Sequence, residues 1–172
     1  MSNCRILALD LSLTATGWCL DGETGLIKPK TRGMERLDNI LTDVLDTWRD
    51  RQPDVVVIEG YSFGSQGRSV YQIGELGGVV RREFWRRRIP FIEVPPSTLK
   101  KYTTGKGNAN KDAMLAAAIR RFGFAGVSND EADAFLLWCM AMDAYGLGQV
   151  TVPKLQRAAL DAVEWPVLEV EP

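Results

Sequence analysis

"ILALDLSLTATGW", residues 6–18, closes an apolar run on a single carboxylate, Asp10, and follows it with Ser12, Thr14, Thr16 and Gly17. An Asp that merely ends a strand is ordinarily a turn former, its side chain bonding to backbone two residues on. Whether Asp10 is more than that depends on where the other acids of the chain fall. "DVVVIEG", residues 54–60, is a second short, continuous apolar run of the kind buried on both faces of a sheet, and it too ends in an acid, Glu59. "SNDEADAFLLWCMAMDAY", from Ser128, opens a helix with Ser128 and Glu131 in capping-box spacing and puts Asp130 and Asp133 three apart on one helix face. Capping and the helix macrodipole explain Asp130 and Glu131, explain Asp133 less well, and leave Glu59 unexplained. With the first and fourth strands as neighbours, four carboxylates converge. Such a cluster does not stay ionised at neutral pH without cations, and a pair of Mg²⁺ ions is the natural answer for in-line phosphoryl chemistry.

Composition narrows the chemistry further. The chain of 172 residues is 45% hydrophobic, enough for one compact domain with its own core. That domain is expected over residues 1–145, with a tail, 146–172, either packed or flexible. It contains no histidine, which removes Ser-His-Asp and Cys-His nucleophiles, histidine bases and the common zinc sites together. Hydrolysis would have to run on carboxylates, lysines or hydroxyls, and carboxylates select hard cations. Cys4, Cys19 and Cys139 are far apart in apolar company and read as buried free thiols. No apolar run approaches the ~20 residues of a membrane span and no signal peptide is legible, so a cytoplasmic protein without a membrane partner is expected.

Net charge is −1, but it is segregated: residues 60–125 carry 12 Lys/Arg against 4 Asp/Glu, leaving 9 basic and 18 acidic residues elsewhere. A basic centre between acidic flanks is a polyanion footprint, although "RREFWRRR" (81–88) also suits a solvated helix face. Hydrophobic spacing gives the rest. Two strands, "TGWCLDG" and "TGLIKPK", joined by a turn at Asp21 to Thr24, make an antiparallel meander with the first. Leu37, Ile40, Leu41, Val44, Leu45 and Trp48 mark an amphipathic helix. A second helix spans about 68–88, with Ile73, Leu76, Val80 and Phe84 on one stripe beside Gly74, Gly77 and Gly78. Three glycines at about 1 kcal/mol each suggest a face where another backbone comes close. "PFIEVPP" is a fifth strand, "LKKYTTGKGNANK" a basic loop, and Met114, Leu115, Ala118 and Phe122 mark a third helix before the one opened by Ser128. A short helix at 154–163 is expected in the tail. The order is βββαβαβ followed by helices, an α/β architecture.

These residues carry a resemblance. An Asp ending the first strand with a T-G pair after it (Asp10, Thr16, Gly17), a Glu closing the fourth strand (Glu59) and a spaced helix pattern (Ser69, Gly74, Gly78, Val79) stand in order. A G-x-G-x-A-x-K loop, "GKGNANK" from Gly105 to Lys111, and a D-x-x-D-A helix start, "DEADA" from Asp130, complete it. From about Ile6 to Tyr145 the chain resembles the RuvC family of Holliday-junction endonucleases, within the RNase H-like fold. It departs in having Leu11 and Ser12 where bacterial members usually have Pro-Gly, a departure like those of phage-encoded relatives.

The resemblance implies a mixed five-stranded sheet flanked by helices. It also implies cleavage of four-way and other branched DNA by paired nicks that leave 5′-phosphate and 3′-hydroxyl ends. Asp10, Glu59, Asp130 and Asp133 would hold two Mg²⁺ ions, with Mn²⁺ as a substitute and no nucleotide cofactor. Lys111 is the expected catalytic lysine, and Arg68, Lys100, Lys101, Lys106 and Lys111 the expected DNA contacts. An aromatic stacks at the junction just after the Glu in that family; here Ser62 aligns, flanked by Tyr61 and Phe63, and Phe63 is the expected wedge. A homodimer is expected through Ile73, Leu76, Gly77, Val80 and Phe84.

Three other classes compete. Sugar kinases and actin-like ATPases begin with a similar Asp-x-x-x-Thr turn but need two such domains. A junction-binding protein without catalysis has no reason to keep four acids. A nuclease of the same fold acting on RNA-DNA hybrids or flaps is inseparable from the first reading by sequence.

Overall fold

The structure, a computed structural model, describes residues 4–61 and 68–168, with side chains from residue 71 onward in the second stretch. Five strands form one sheet in the order β3-β2-β1-β4-β5: β1 (Ile6–Asp10), β2 (Thr16–Leu20), β3 (Glu23–Ile27), β4 (Val55–Glu59) and β5 (Phe91–Val94). β1, β2 and β3 pair antiparallel, whereas β4 runs parallel to both β1 and β5. The β2–β3 turn is tighter than its composition suggests. Asp21 and Gly22 hold φ of 53° and 83°, the paired positive values of a two-residue hairpin turn, and β3 already starts at Glu23.

Period-two alternation along β1 and β4 assigns every side chain to a layer. Leu7, Leu9, Val56 and Ile58 pack with α1 (Gly33–Arg51) and α2 (Arg68–Arg86). Ile6, Ala8, Val55 and Val57 pack on the other face, with α3 (Pro96–Thr104), α4 (Lys111–Ala117) and α5 (Asn129–Ala144). Asp10 and Glu59 share the parity of this second set, so they belong to the α5 face. α5 is buried nearly all round because the sheet lies on one side and α3, α4 and the tail on the other. Gly17 makes that packing possible, since a Cβ there would overlap the Asp130 backbone carbonyl.

Two expectations change, and the tail, left open as packed or flexible, takes one of its two forms as far as described. α3 occupies part of the stretch read as a loop: Pro96 sits at the first helical turn, and Leu99, Tyr102 and Thr103 are buried on one side. The tail packs back as far as described, through α6 (Lys154–Arg157) and a 3₁₀ turn that buries Ala159 and Leu160; Arg157 also pairs with Asp143 at 3.0 Å. The stripe expected to meet a second copy faces the chain's own core instead, with Leu76, Val80 and Phe84 all 0% exposed. A helix with one apolar stripe turns it to its own sheet. Among the described residues no helix is long and apolar enough to cross a membrane.

Candidate active site

A cleft of about 410 Å³ opens at the C-terminal ends of β1 and β4. Asp10 reaches it as the last residue of β1 and Glu59 as the last of β4; the register that pairs Leu9 with Ile58 sets the two acids side by side. Asp130 and Asp133 enter from the first turns of α5, whose start is fixed by Ser128 accepting the Glu131 amide. Only half of the expected capping box forms, because the Glu131 carboxylate turns away to accept from the Thr24 hydroxyl at 3.3 Å. Lys100 on α3 and Lys111 at the start of α4 line the same cleft, as do Tyr61, Ile73 and Arg81.

Electrostatics record the crowding. Burial, the repulsion of Asp130 and a hydrogen bond shared with Glu59 act on Asp10, and the net result lifts it to about 6. Glu59 is raised well above the carboxylate range by burial, then by the charges of Asp10 and Asp133. Asp133 is raised to about 7, again by burial first and Asp10 second, with Lys111 and Lys100 pulling it back. Burial and mutual repulsion therefore disfavour charging Asp10 and Glu59 at once. Asp10, Glu59, Asp130 and Asp133 all line the one cleft.

Other expected residues are less central. Lys101 is exposed and does not line the cleft, and Lys106 lines a neighbouring open hollow with Asn108, Asn110 and Arg121. Phe63 lies outside the described residues, and of Arg68 only the backbone is described, at the first position of α2. Gly77 is covered by the Tyr61 hydroxyl of its own chain. Within the basic run, Arg82, Arg86 and Arg87 gather round the nearly buried Glu83, a structural ion cluster, while Arg81 turns into the cleft. Sequence reasoning passed over Arg81; nothing in the pattern distinguishes it from its neighbours in the run. The hydroxyls after Asp10 are engaged locally. Thr16 donates to the Ser12 carbonyl at 2.7 Å and accepts the Ser12 amide at 3.0 Å, and Ser12 shares a hydrogen bond with Thr14. They close a turn and leave little to cradle a nucleotide phosphate.

Comparison with known proteins gives a consistent picture. The family model described as crossover junction endodeoxyribonuclease RuvC matches residues 17–137, a span that includes Glu59, Lys111, Asp130 and Asp133 and starts after Asp10. A crossover junction endodeoxyribonuclease RuvC of Anaeromyxobacter sp. (strain Fw109-5) is 30% identical over 139 residues, covering 80% of this chain and 67% of that protein. The protein of the same name from Anaeromyxobacter dehalogenans (strain 2CP-C) is 36% identical over 117 residues, covering 67% and 63%. The chain thus spans about two thirds of the length of these relatives. Among solved structures, Thermus thermophilus RuvC in complex with Holliday junction substrate superimposes with a TM-score of 0.66 at 21% identity, over 87% of this chain and all of that one, which shows a shared fold.

Proposed function

From the premise that the chain belongs to the RuvC family of crossover junction endodeoxyribonucleases, we propose that it is a metal-dependent endonuclease that resolves four-way DNA junctions by paired nicks. One observation carries the reading: four acids from three elements, β1, β4 and α5, meet in one cleft with two lysines at its edge. A protein that only bound junctions would keep the lysines and gain nothing from carboxylates that repel the DNA backbone.

The all-oxygen donor set fits a hard cation such as Mg²⁺, with Asp10, Glu59, Asp130 and Asp133 as its holders. When bound, the metal supplies activation of water and neutralises charge on the scissile phosphate. The chain's own groups do the rest. Lys100 and Lys111, on one wall, would hold the phosphate in line. Ends bearing 5′-phosphate and 3′-hydroxyl follow from attack on the phosphorus that expels the 3′ oxygen.

Two nicks at symmetry-related places call for a two-fold dimer. The outward face of α2 suits it: Tyr71 and Trp85 are 78% and 74% exposed, and Gly74 and Gly78 between them have open space above their Cα atoms. That face replaces the buried stripe as the proposed contact.

The test is cleavage of a synthetic four-way junction, a replication fork, linear duplex and an RNA-DNA hybrid, with and without Mg²⁺. Metal-dependent cutting, greatest on the junction, is expected. Equal cutting of the hybrid would favour the broader nuclease reading, and undiminished activity in excess chelator would sink the metal mechanism.

A further inference from the structure

Gly77 leaves a notch in α2 that the Tyr61 hydroxyl fills. This hydroxyl donates to the Gly74 carbonyl at 3.1 Å and accepts from one Nη of Arg81 at 2.7 Å. The Arg81 guanidinium lies over the Tyr61 ring, 4.6 Å from its centre, and its other Nη bonds to Glu93 Oε2 at 3.0 Å. Glycine notch, ring, guanidinium and carboxylate form one braced unit. Stability alone gives little reason for it, because partly exposed ion pairs contribute little net stability.

Position gives a better reason. Tyr61 and Arg81 line the acid cleft from the α2 layer, whereas Lys100 and Lys111 line it from the α3 and α4 layer on the opposite face of the sheet. The acids lie between two cationic walls. Of the five N–H donors of the guanidinium, two are spent on Tyr61 and Glu93, so the fork is oriented yet still has donors to offer.

We propose that Arg81, braced by Tyr61 and Glu93, binds a backbone phosphate of the DNA strand on the side of the acids opposite Lys111, so that the strand crosses the carboxylates held at both ends. The inference rests on the nuclease reading of the cleft. A planar fork fixed in this way recognises phosphate through two parallel bonds, which an ammonium does not. Arg81 thereby sets which phosphate stands over the acids.

The test measures junction affinity across a salt series, with Ca²⁺ replacing Mg²⁺, for the wild type, Arg81→Gln and Arg81→Lys. Steady-state cleavage in Mg²⁺ and melting temperatures come from the same preparations. For Arg81→Gln the expected result is a roughly tenfold weaker affinity, a salt slope shallower by about one phosphate, and a raised KM, with melting unchanged. Arg81→Lys should recover the slope but only part of the affinity, because charge returns without the fork. An Arg81→Gln protein with wild-type slope and KM overturns the proposal. So do equal losses in both variants accompanied by a lower melting temperature, which would mark a purely structural brace. A wild type that binds junctions without cutting them defeats the nuclease reading while the slope still reports on Arg81, and one that binds no DNA defeats both.

Discussion

At the scale of single residues, the site depends on acids that are costly to keep together and on a glycine that lets them meet. Folding raises the pKa of Asp10, Glu59 and Asp133, so these groups favour the protonated native state. Their contribution is full below the ordinary carboxylate pKa near ~4 and is lost as pH climbs through about 6 to 7. With no histidine in the chain, no other side chain of ordinary pKa titrates in that window. Metal-free protein is therefore expected to lose stability on the order of 1–3 kcal/mol between about pH 5 and about pH 8, and Mg²⁺ to restore it at the upper end. Thermal melts with and without chelator measure this; a metal-free melting temperature that rises over the window would be wrong for the site. Asp10→Asn should abolish cleavage yet bind junction at least as well, since it removes a negative charge beside the DNA. Gly17→Ala should cost several kcal/mol in chemical denaturation, because the Asp130 carbonyl stands where the methyl must go and α5 has to lift off β2.

At the scale of elements, α2 uses three sides for three purposes. Leu76, Val80 and Phe84 fill the core, Gly77 and Arg81 receive Tyr61, and Tyr71, Gly74, Gly78 and Trp85 face outward. Because nothing lies above Gly78, Gly78→Leu should leave the monomer folded, and raise helix stability by up to about 1 kcal/mol. It should also weaken the dimer measured by sedimentation equilibrium and uncouple the two nicks. A Gly78→Leu protein that dimerises like the wild type would move the interface elsewhere. The stripe in α2 was legible from its spacing, but the spacing alone does not say whether a stripe meets its own sheet or a second chain. The notch at Gly77 was not legible, since its occupant is Tyr61, sixteen positions earlier, and only the fold brings them together. α3 was obscured differently: Pro95 and Pro96 read as the end of β5, although a proline at the first helical turn also starts a helix.

At the scale of the whole molecule, the strand order places the parallel pair β1 and β4 at the centre of the sheet, and their common polarity delivers Asp10 and Glu59 to one end. This much could be read in the sequence, because two apolar runs each end in an acid of the same parity. What could not be read is how strongly the four acids perturb one another, since burial and mutual repulsion are properties of their packing. The account's central claim is that two copies of this cleft, one in each half of a two-fold dimer, cut two strands of a junction at symmetry-related phosphates, and the most direct measurement is ligation of the products. A four-way junction incubated with the protein and Mg²⁺ and then treated with DNA ligase should yield sealed linear duplexes without any intervening repair of the ends, and none after Asp10→Asn. Products that resist sealing, single unpaired nicks, or the same products formed in excess chelator would contradict it.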